Sequence, residues 1–220
     1  MAGIAKGNSP GLPFIVANEL LCGHLARVLL LPIPPGFIID HNGTLHYVSL
    51  TFNLAGEDLP PADPGAIAST HPELACGIVL FDVWIVNGDR HRGNIAHDRT
   101  TNRVQIYDHS HAFFANGPDH LTAVEDQLGI GGHCLVGELQ SLAGMQRWQD
   151  RICSIPEFYI QEVVAAAAEV GLSINQVNFC ASYLLRRRDK LLDLVKQHRA
   201  NFIKVGRELW DELNTRGGVV

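Results

Sequence analysis

The chain has 220 residues, of which 46% are hydrophobic and 18% charged, and this composition excludes a largely disordered chain. Its formal net charge of −6 gives no support for direct binding to nucleic acid or to an anionic membrane surface. The sequence has no apolar run of the roughly 18 residues that a membrane span requires, no charged-then-apolar leader, and five scattered cysteines without a CxxC pair, so we expect a cytoplasmic protein.

The first part of the chain predicts one helix followed by a small sheet. Apolar residues recur at helical spacing over residues 15–31, and the prolines that begin at Pro32 end this helix. Residues 36–40 and 45–52 are rich in β-branched and aromatic side chains, and the "HNG" between them predicts a hairpin. Residues 53–71 are rich in glycine and proline, which predicts a loop.

The middle of the chain predicts a buried helix and a second, shorter hairpin. From residue 72 the sequence is apolar nearly all round, and we expect the helix to end at Gly88, a residue type suited to the left-handed position after a helix. Residues 94–98 and 103–108 then predict two short strands joined by "RTTN".

The last part of the chain, after about residue 119, is helical in pattern. Pro156 and Gly171 are expected to mark the two ends of one helix. Ser173 is the expected N-cap of another helix, which leucines at three- and four-residue spacing extend over residues 173–198. The order of elements predicts an α+β protein with two lobes.

A dense group of polar residues, "NGDRHRGN", directly follows the buried helix. Asp89 and Asn94 are five residues apart, and Asp108 comes fourteen residues later, after the predicted hairpin. Phosphoryl transfer requires a carboxylate that accepts the proton of the attacking hydroxyl, and hard oxygen ligands that hold Mg²⁺. In protein kinases the base and the first metal ligand have this spacing, and a second Asp follows the next hairpin. The spacing of the three residues therefore favours phosphoryl transfer over separate roles in turns.

These motifs resemble the HipA-like kinase family, together with "GNSPG" and "VANELLCGHLARVLLLPIP" before them and "SYLLRRRDKL" in the late helix. The resemblance covers most of the chain. It implies an α+β, protein-kinase-like fold, with a reduced N-terminal lobe over residues 1–60 that contains a small antiparallel sheet. Residues 61–220 are then the mostly helical C-terminal lobe that carries the catalytic loop.

The resemblance implies a role for each residue of the polar group. Asp89 is expected to be the catalytic base, and Asn94 and Asp108 are expected to be the Mg²⁺ ligands. Arg90 and His91 follow the base, and they are expected either to support the loop or to neutralise charge that develops on the phosphate.

The resemblance also implies a lysine–glutamate pair that holds ATP. Glu19 in "ANEL" matches the glutamate of the family's helix, and Lys6 is the lysine closest to the position of the family's strand lysine. The strands that normally carry a glycine-rich loop are not recognisable ahead of Lys6. We therefore expect "KGNSPG" to replace part of that loop.

The function that the resemblance implies is transfer of the γ-phosphoryl group of Mg²⁺·ATP to a hydroxyl group of a protein serine or threonine. The founding branch of the family includes toxins of bacterial toxin–antitoxin pairs, which adds an antitoxin-type protein to the expected partners. No motif identifies the protein substrate.

Three other interpretations of the sequence stay open. The short N-terminal lobe is also expected of a truncated gene product or of a catalytically inactive kinase-fold scaffold. A metal-dependent phosphoesterase is less well supported, because no Asp-x-His precedes the polar group and His133 in "GGHCLVG" lacks a second histidine. The sequence also contains neither HExxH nor a cysteine pair at zinc-finger spacing.

Overall fold

The computed structural model of the chain describes residues 2–50, 61–115, 117 and 119–215. A three-stranded antiparallel sheet is followed by a mostly helical region, which also contains a two-stranded hairpin. This arrangement confirms the predicted α+β fold class. No single helix of the described residues is long and apolar enough to cross a membrane. The helices Pro64–Thr70 and Pro72–Ile85 together have the length and composition of a membrane span, but they are bent by 119° at the break between them.

The three-stranded sheet consists of β1 (Gly3–Gly7), β2 (Gly36–His41) and β3 (Thr44–Leu50), with β3 in the middle. The predicted hairpin is confirmed over β2 and β3, and its last predicted residues, 51–52, lie outside the described residues. Asn42 and Gly43 form its turn, both with positive φ, as the right-handed twist of a tight hairpin requires. The sequence does not predict β1. Its register places Lys6 opposite the buried Tyr47, so both side chains lie on the inner face of the sheet.

Helix α1 (Ile15–Val28) packs against the inner face of this sheet and buries most of its side chains. The predicted helix is confirmed, but it ends three residues before residue 31 because Leu30 adopts a left-handed backbone conformation with φ 58°. Glu19 lies on the buried side of α1 and is only 4% exposed, which excludes a merely solvated helical glutamate. A buried carboxylate requires partners, and these are described below.

Helices α2 (Pro64–Thr70) and α3 (Pro72–Ile85) follow the segment 51–60, which lies outside the described residues. The prediction of a loop over 53–71 is wrong for residues 64–70. There a proline occupies the first helical position and the carboxylate of Asp63 accepts hydrogen bonds from the backbone of Gly65 and Ala66.

Helix α3 is almost completely buried, as predicted, but it ends at Ile85 and not at Gly88. Val86 takes the left-handed position with φ 56°, and the backbone N–H of Asn87 returns to the carbonyl of Asp82 at 2.9 Å. A β-branched residue seldom adopts positive φ, so the chain leaves the helix under backbone strain just before the polar group.

The second hairpin consists of β4 (Ile95–Asp98) and β5 (Arg103–Ile106), as predicted. The two strands start and end opposite each other, with Ile95 paired to Ile106. This register places the residues on either side of the hairpin, Asn94 and Tyr107, next to each other.

Six α-helices follow the second hairpin in the described part of the chain. They are α4 (His120–Ala123), α5 (Ala143–Cys153), α6 (Glu157–Ala166), α7 (Ile174–Arg188), α8 (Leu191–Gln197) and α9 (Arg207–Thr215). Ser173 caps α7 as predicted, and Gly171 ends the preceding turn with φ 110°. The helix predicted over 173–198 is divided between α7 and α8, because a break after Arg188 turns the four buried side chains of α8 toward α3 and α5.

Candidate active site

Two loops and the inner face of the first sheet meet at one place in the fold. The first loop covers residues 87–94, between α3 and β4, and the second covers residues 107–111, directly after β5. Lys6 on β1 and Glu19 on α1 contact the second loop. Residues that are far apart in the sequence therefore form one polar site.

Lys6 bridges the two carboxylates of this site. Its Nζ lies 2.6 Å from Glu19 Oε1 and 2.7 Å from Asp108 Oδ1, and both distances are those of charge-assisted hydrogen bonds. Glu19 Oε1 also accepts hydrogen bonds from the backbone N–H of His109 at 3.0 Å and from the hydroxyl of Ser110 at 2.9 Å. Glu19 therefore ties the sheet and α1 to the loop that carries Asp108.

The electrostatic environment keeps both carboxylates ionised. Burial alone would raise the pKa of Glu19, but contact with His109 and the positive charge of Lys6 outweigh burial and lower that pKa to about 2. Burial also opposes ionisation of Asp108, and its contact with Lys6 more than compensates, so that its pKa is lowered. One ammonium group thus balances two negative charges, which leaves a local excess of negative charge.

The carboxylate of Asp89 is exposed to solvent, and the buried Asn94 restrains the loop that carries it. The Asp89 side chain is 42% exposed. The amide nitrogen of Asn94, a buried residue, donates to the carbonyl of Asp89 at 2.8 Å and lies 3.4 Å from Asp89 Oδ2. His91 Nε2 and His111 Nε2 lie at 4.0 and 3.9 Å from the same carboxylate oxygen.

Asn94 connects the two loops. The backbone N–H of Tyr107 donates to the carbonyl of Asn94 at 3.2 Å, and Asp108 is the next residue. Asp108 has a positive φ of 60°, a conformation that aspartate tolerates better than most residues. Asp89 and Asn94 are therefore in direct contact, and Asn94 is joined to the residue before Asp108 across the base of the hairpin.

Arg90 lies behind the exposed loop and is fully buried. Its Nε and Nη2 donate to the two carboxylate oxygens of Asp82 at 2.8 and 3.1 Å. Its Nη1 donates to the carbonyls of Asn94 at 3.0 Å and Tyr107 at 2.6 Å. One guanidinium group thus holds both loops against α3, which is a supporting arrangement and gives no contact with solvent.

Asp82 is the centre of this buried cluster, and the sequence motif does not include it. Besides Arg90 it accepts a hydrogen bond from Asn87 Nδ2 at 3.0 Å and contacts His133 Nε2 at 3.0 Å. Burial opposes its ionisation, but Arg90 and His133 more than compensate and lower its pKa. The signal that could have identified Asp82 is its position as a charged residue inside the apolar run over residues 74–85, because a buried carboxylate needs a partner.

Five of the predicted site residues lie in two directly contacting groups: Lys6, Glu19 and Asp108, and Asp89 with Asn94. Of the other two, Arg90 is buried behind the loop and His91 is exposed beside Asp89. Ser110, which joins the Lys6 group, is not part of the predicted set.

The donor atoms of the site fit a hard divalent cation. Both contacts of the Asp108 carboxylate, to Lys6 Nζ and to the backbone N–H of Ser110, are made through Oδ1. The second carboxylate oxygen is therefore the one that a cation can share. The amide nitrogen of Asn94 is held by Asp89, so its oxygen is the end that can ligate. Carboxylate and amide oxygens are the ligands that Mg²⁺ prefers.

Comparison with known proteins gives the following similarities. A family model described as "HipA-like kinase" matches residues 4–123. The crystal structure of the Helicobacter pylori proinflammatory kinase CtkA is similar with a TM-score of 0.60 and 13% identity, over 90% of this chain and 87% of that chain. HipA of a Shewanella oneidensis toxin–antitoxin system, solved with HipB and operator DNA, has a TM-score of 0.51 and 16% identity, over 92% of this chain and 60% of that one. No curated protein matches this sequence.

Proposed function

Because this chain belongs to the HipA-like kinase family, we propose that it binds Mg²⁺·ATP and transfers the γ-phosphoryl group to a hydroxyl group of a protein serine or threonine. The observation that carries this proposal is the ammonium group of Lys6, held between the carboxylates of Glu19 and Asp108. A lysine that is oriented by a helix glutamate and placed beside a metal-ligand aspartate suits the binding of nucleotide phosphates.

Lys6 and Glu19 act as the nucleotide-binding pair in this proposal. Glu19 is buried and ionised, and it fixes the position of the lysine side chain while Nζ contacts the phosphate oxygens. Asn94 and Asp108 hold the metal ion. Bound Mg²⁺ supplies neutralisation of the negative charge on the phosphates.

Asp89 is the base in this proposal. Its carboxylate is accessible to an incoming hydroxyl group, and Asn94 restrains the loop that carries it. As the hydroxyl oxygen forms its bond to the γ-phosphorus, the bond between that phosphorus and the bridging oxygen of ADP breaks. The hydroxyl proton goes to Asp89, so the products are a phosphorylated hydroxyl and ADP.

Arg90 and His91 have different roles in this proposal. Arg90 is a positioning residue, because its contacts with Asp82 and with the carbonyls of Asn94 and Tyr107 fix both loops from the buried side. His91 is exposed beside Asp89, and in this proposal it faces the charge that develops on the phosphate. We also propose the division into a reduced N-terminal lobe over residues 1–60 and a C-terminal lobe over residues 61–220.

An antitoxin-type protein partner is part of the same proposal, by analogy with the Shewanella oneidensis HipA–HipB complex. The net charge of −6 does not favour direct contact of this chain with nucleic acid. Co-purification with the product of a neighbouring gene tests this partnership. Two separately eluting proteins at micromolar concentration would contradict it.

The proposal is tested by thermal unfolding with ATP and Mg²⁺, together and separately. Nucleotide at 100 times its dissociation constant adds about 2.7 kcal/mol, or roughly 5–11 °C for a chain of this size. The Asp108→Asn variant should lose the Mg²⁺-dependent part of this shift. The Asp193→Asn variant, at an exposed position of α8, should keep it.

The same experiment separates the alternatives. A non-catalytic scaffold that has lost nucleotide binding would show no shift with Mg²⁺·ATP. A metal-dependent phosphoesterase would be stabilised by Mn²⁺ without nucleotide. Either result would contradict the proposed kinase function.

A further inference from the structure

A pocket of about 430 Å³ lies beside the loop that carries Asp89, and none of the proposed nucleotide or metal contacts uses it. Residues 127–133 line the pocket, together with His198 and Asn201. Among the residues that the structure describes, its lining includes four glycines and contains no Lys, Arg, Asp or Glu. These lining residues carry no fixed charge, and the glycines among them leave backbone without side chains.

The glycine-rich side of the pocket runs along the proposed catalytic loop. A Cβ atom at Gly88 would lie 3.5 Å from the carbonyl oxygen of Gly129. Farther along, the backbone N–H of Cys134 donates to the carbonyl of Arg90 at 2.9 Å. Asp89 lies between Gly88 and Arg90 in the sequence, so the glycine-rich segment that lines the pocket runs beside the loop that carries the proposed base.

Buried side chains hold this glycine-rich segment at both ends. At the start, Arg187 donates to the carbonyls of residues 124, 125, 127 and 128, at distances of 2.7–3.2 Å. Near the end, His133 contacts the buried Asp82, and its Nδ1 accepts a hydrogen bond from the backbone of Leu135 at 3.2 Å. Five backbone contacts and the buried contact between His133 and Asp82 fix the position of this segment.

The fold does not require glycine at position 131. Gly129 must be glycine, since its φ is +73° and a Cβ would lie 2.8 Å from Val86 Cγ1. Gly131 does not have a left-handed φ, and a Cβ atom there would meet nothing within 4 Å. Gly131 lines the pocket, and a side chain at this position would extend into open space.

An exposed apolar side chain lies at the edge of the same pocket. Ile203 is 77% exposed, and it would lie 3.8 Å from a Cβ atom at Gly137. The charged residues next in sequence to these two, Lys204 and Glu138, form an ion pair with each other. The edge of the pocket thus offers an apolar contact without a net charge.

We propose that this pocket binds the extended protein segment that carries the acceptor hydroxyl, and that the residues flanking this hydroxyl are uncharged. The inference rests on the kinase function proposed above and adds the class of its acceptor. Exposed glycine backbone can pair with an extended chain, and Ile203 contacts an apolar side chain beside the acceptor. A charged flanking residue would lose hydration in the pocket without finding a counter-ion.

The test uses synthetic peptides with a central serine or threonine, and flanking positions that are neutral, acidic or basic. Incorporation of labelled γ-phosphate should be at least tenfold higher with neutral flanks. The Gly131→Leu variant should raise the KM for neutral peptides at least tenfold without changing the dissociation constant of Mg²⁺·ATP. The Ala165→Leu variant adds the same side chain at an exposed position of α6 and should leave both values unchanged.

A second variant tests the edge of the pocket at an exposed position, where a substitution should not affect folding. The Ile203→Asp variant should lower kcat/KM for neutral peptides about tenfold and shift the preference toward basic flanks. Preference of the unaltered protein for charged flanks, or unchanged peptide kinetics in both variants, would overturn the inference.

The failure of this inference can be told apart from the failure of the kinase function. If the chain transfers labelled γ-phosphate to protein but labels peptides with neutral, acidic and basic flanks equally, the acceptor inference is wrong and the kinase function stands. If Mg²⁺·ATP does not bind, the proposed function is wrong and the acceptor assignment is wrong with it.

Discussion

Replacement of Asp82 by asparagine tests whether the buried cluster fixes the proposed catalytic loop. The carboxylate receives Arg90 Nε and Nη2, Asn87 Nδ2 and His133 Nε2 at distances of 2.8–3.1 Å. Asparagine keeps the volume but replaces one acceptor oxygen by a donor, and it leaves the buried guanidinium without a counter-ion. Breaking a buried ion pair in this way costs about 3–5 kcal/mol. For a chain of this size that corresponds to a melting temperature lower by roughly 6–20 °C.

The assay is thermal unfolding followed by circular dichroism, with Glu73→Gln as the matched control. Glu73 lies on the same helix, α3, and makes a similar two-point ion pair with Arg147 at 2.8 and 2.9 Å, but both side chains are exposed. Water screens the exposed pair, so its loss should change the melting temperature far less. If the two variants unfold at the same temperature, the buried cluster does not stabilise the loop and the reasoning is refuted.

Three further predictions concern the backbone, the nucleotide and pH. Gly129→Ala should destabilise the chain by about 1–2 kcal/mol in urea denaturation, because φ is +73° and the new methyl group would meet Val86 at 2.8 Å. Lys6→Met should weaken Mg²⁺·ATP binding at least tenfold by calorimetry, because two facing carboxylates then lose their shared cation; an unchanged affinity would contradict its role. Burial lowers the pKa of His109 below 6.5 in the folded chain. As pH drops below about 6.5, this histidine is therefore protonated in the unfolded chain before it is protonated in the folded one, and the free energy of unfolding should fall. A second loss should begin below about pH 4.5, where Glu19 is protonated in the unfolded chain but not in the folded one; melting temperatures measured from pH 8 to pH 3 check both steps.

The contact between Asp89 and Asn94, and the position of Asn94 beside the residue that precedes Asp108, could be predicted from the sequence because they are local. A short hairpin connects Asn94 to Asp108, so the spacing alone indicates which residues meet at its base. The roles of these residues in catalysis stay predictions.

The lysine–glutamate pair depends on contacts that spacing does not reveal. Strand β1, "GIAKG", has no clear alternation of apolar and polar residues, and it becomes a strand because it pairs with β3 more than forty residues later. Only this pairing turns Lys6 toward Glu19. The resemblance suggested both residues, whereas periodicity suggested neither.

The buried cluster shows a different limit of sequence reasoning. A carboxylate such as Asp82 within an apolar run indicates that a polar partner must be buried with it. The sequence does not indicate that His133, 51 residues later, is one of these partners. Some predicted helix ends also differ from the observed ones, because tertiary contacts determine where these helices end. Val86 takes a strained conformation that glycine would adopt freely, and the contacts made by Asp82 and Asn87 hold it there.

The most direct test of the proposed function is transfer of labelled γ-phosphate from ATP to protein, measured with the unaltered chain and with Asp89→Asn. The variant keeps the size of the side chain and should bind Mg²⁺·ATP with unchanged affinity, while transfer falls at least a hundredfold, the scale of a lost general base. Transfer at the original rate by the Asp89→Asn variant would contradict the assignment of the base and, with it, the proposed mechanism.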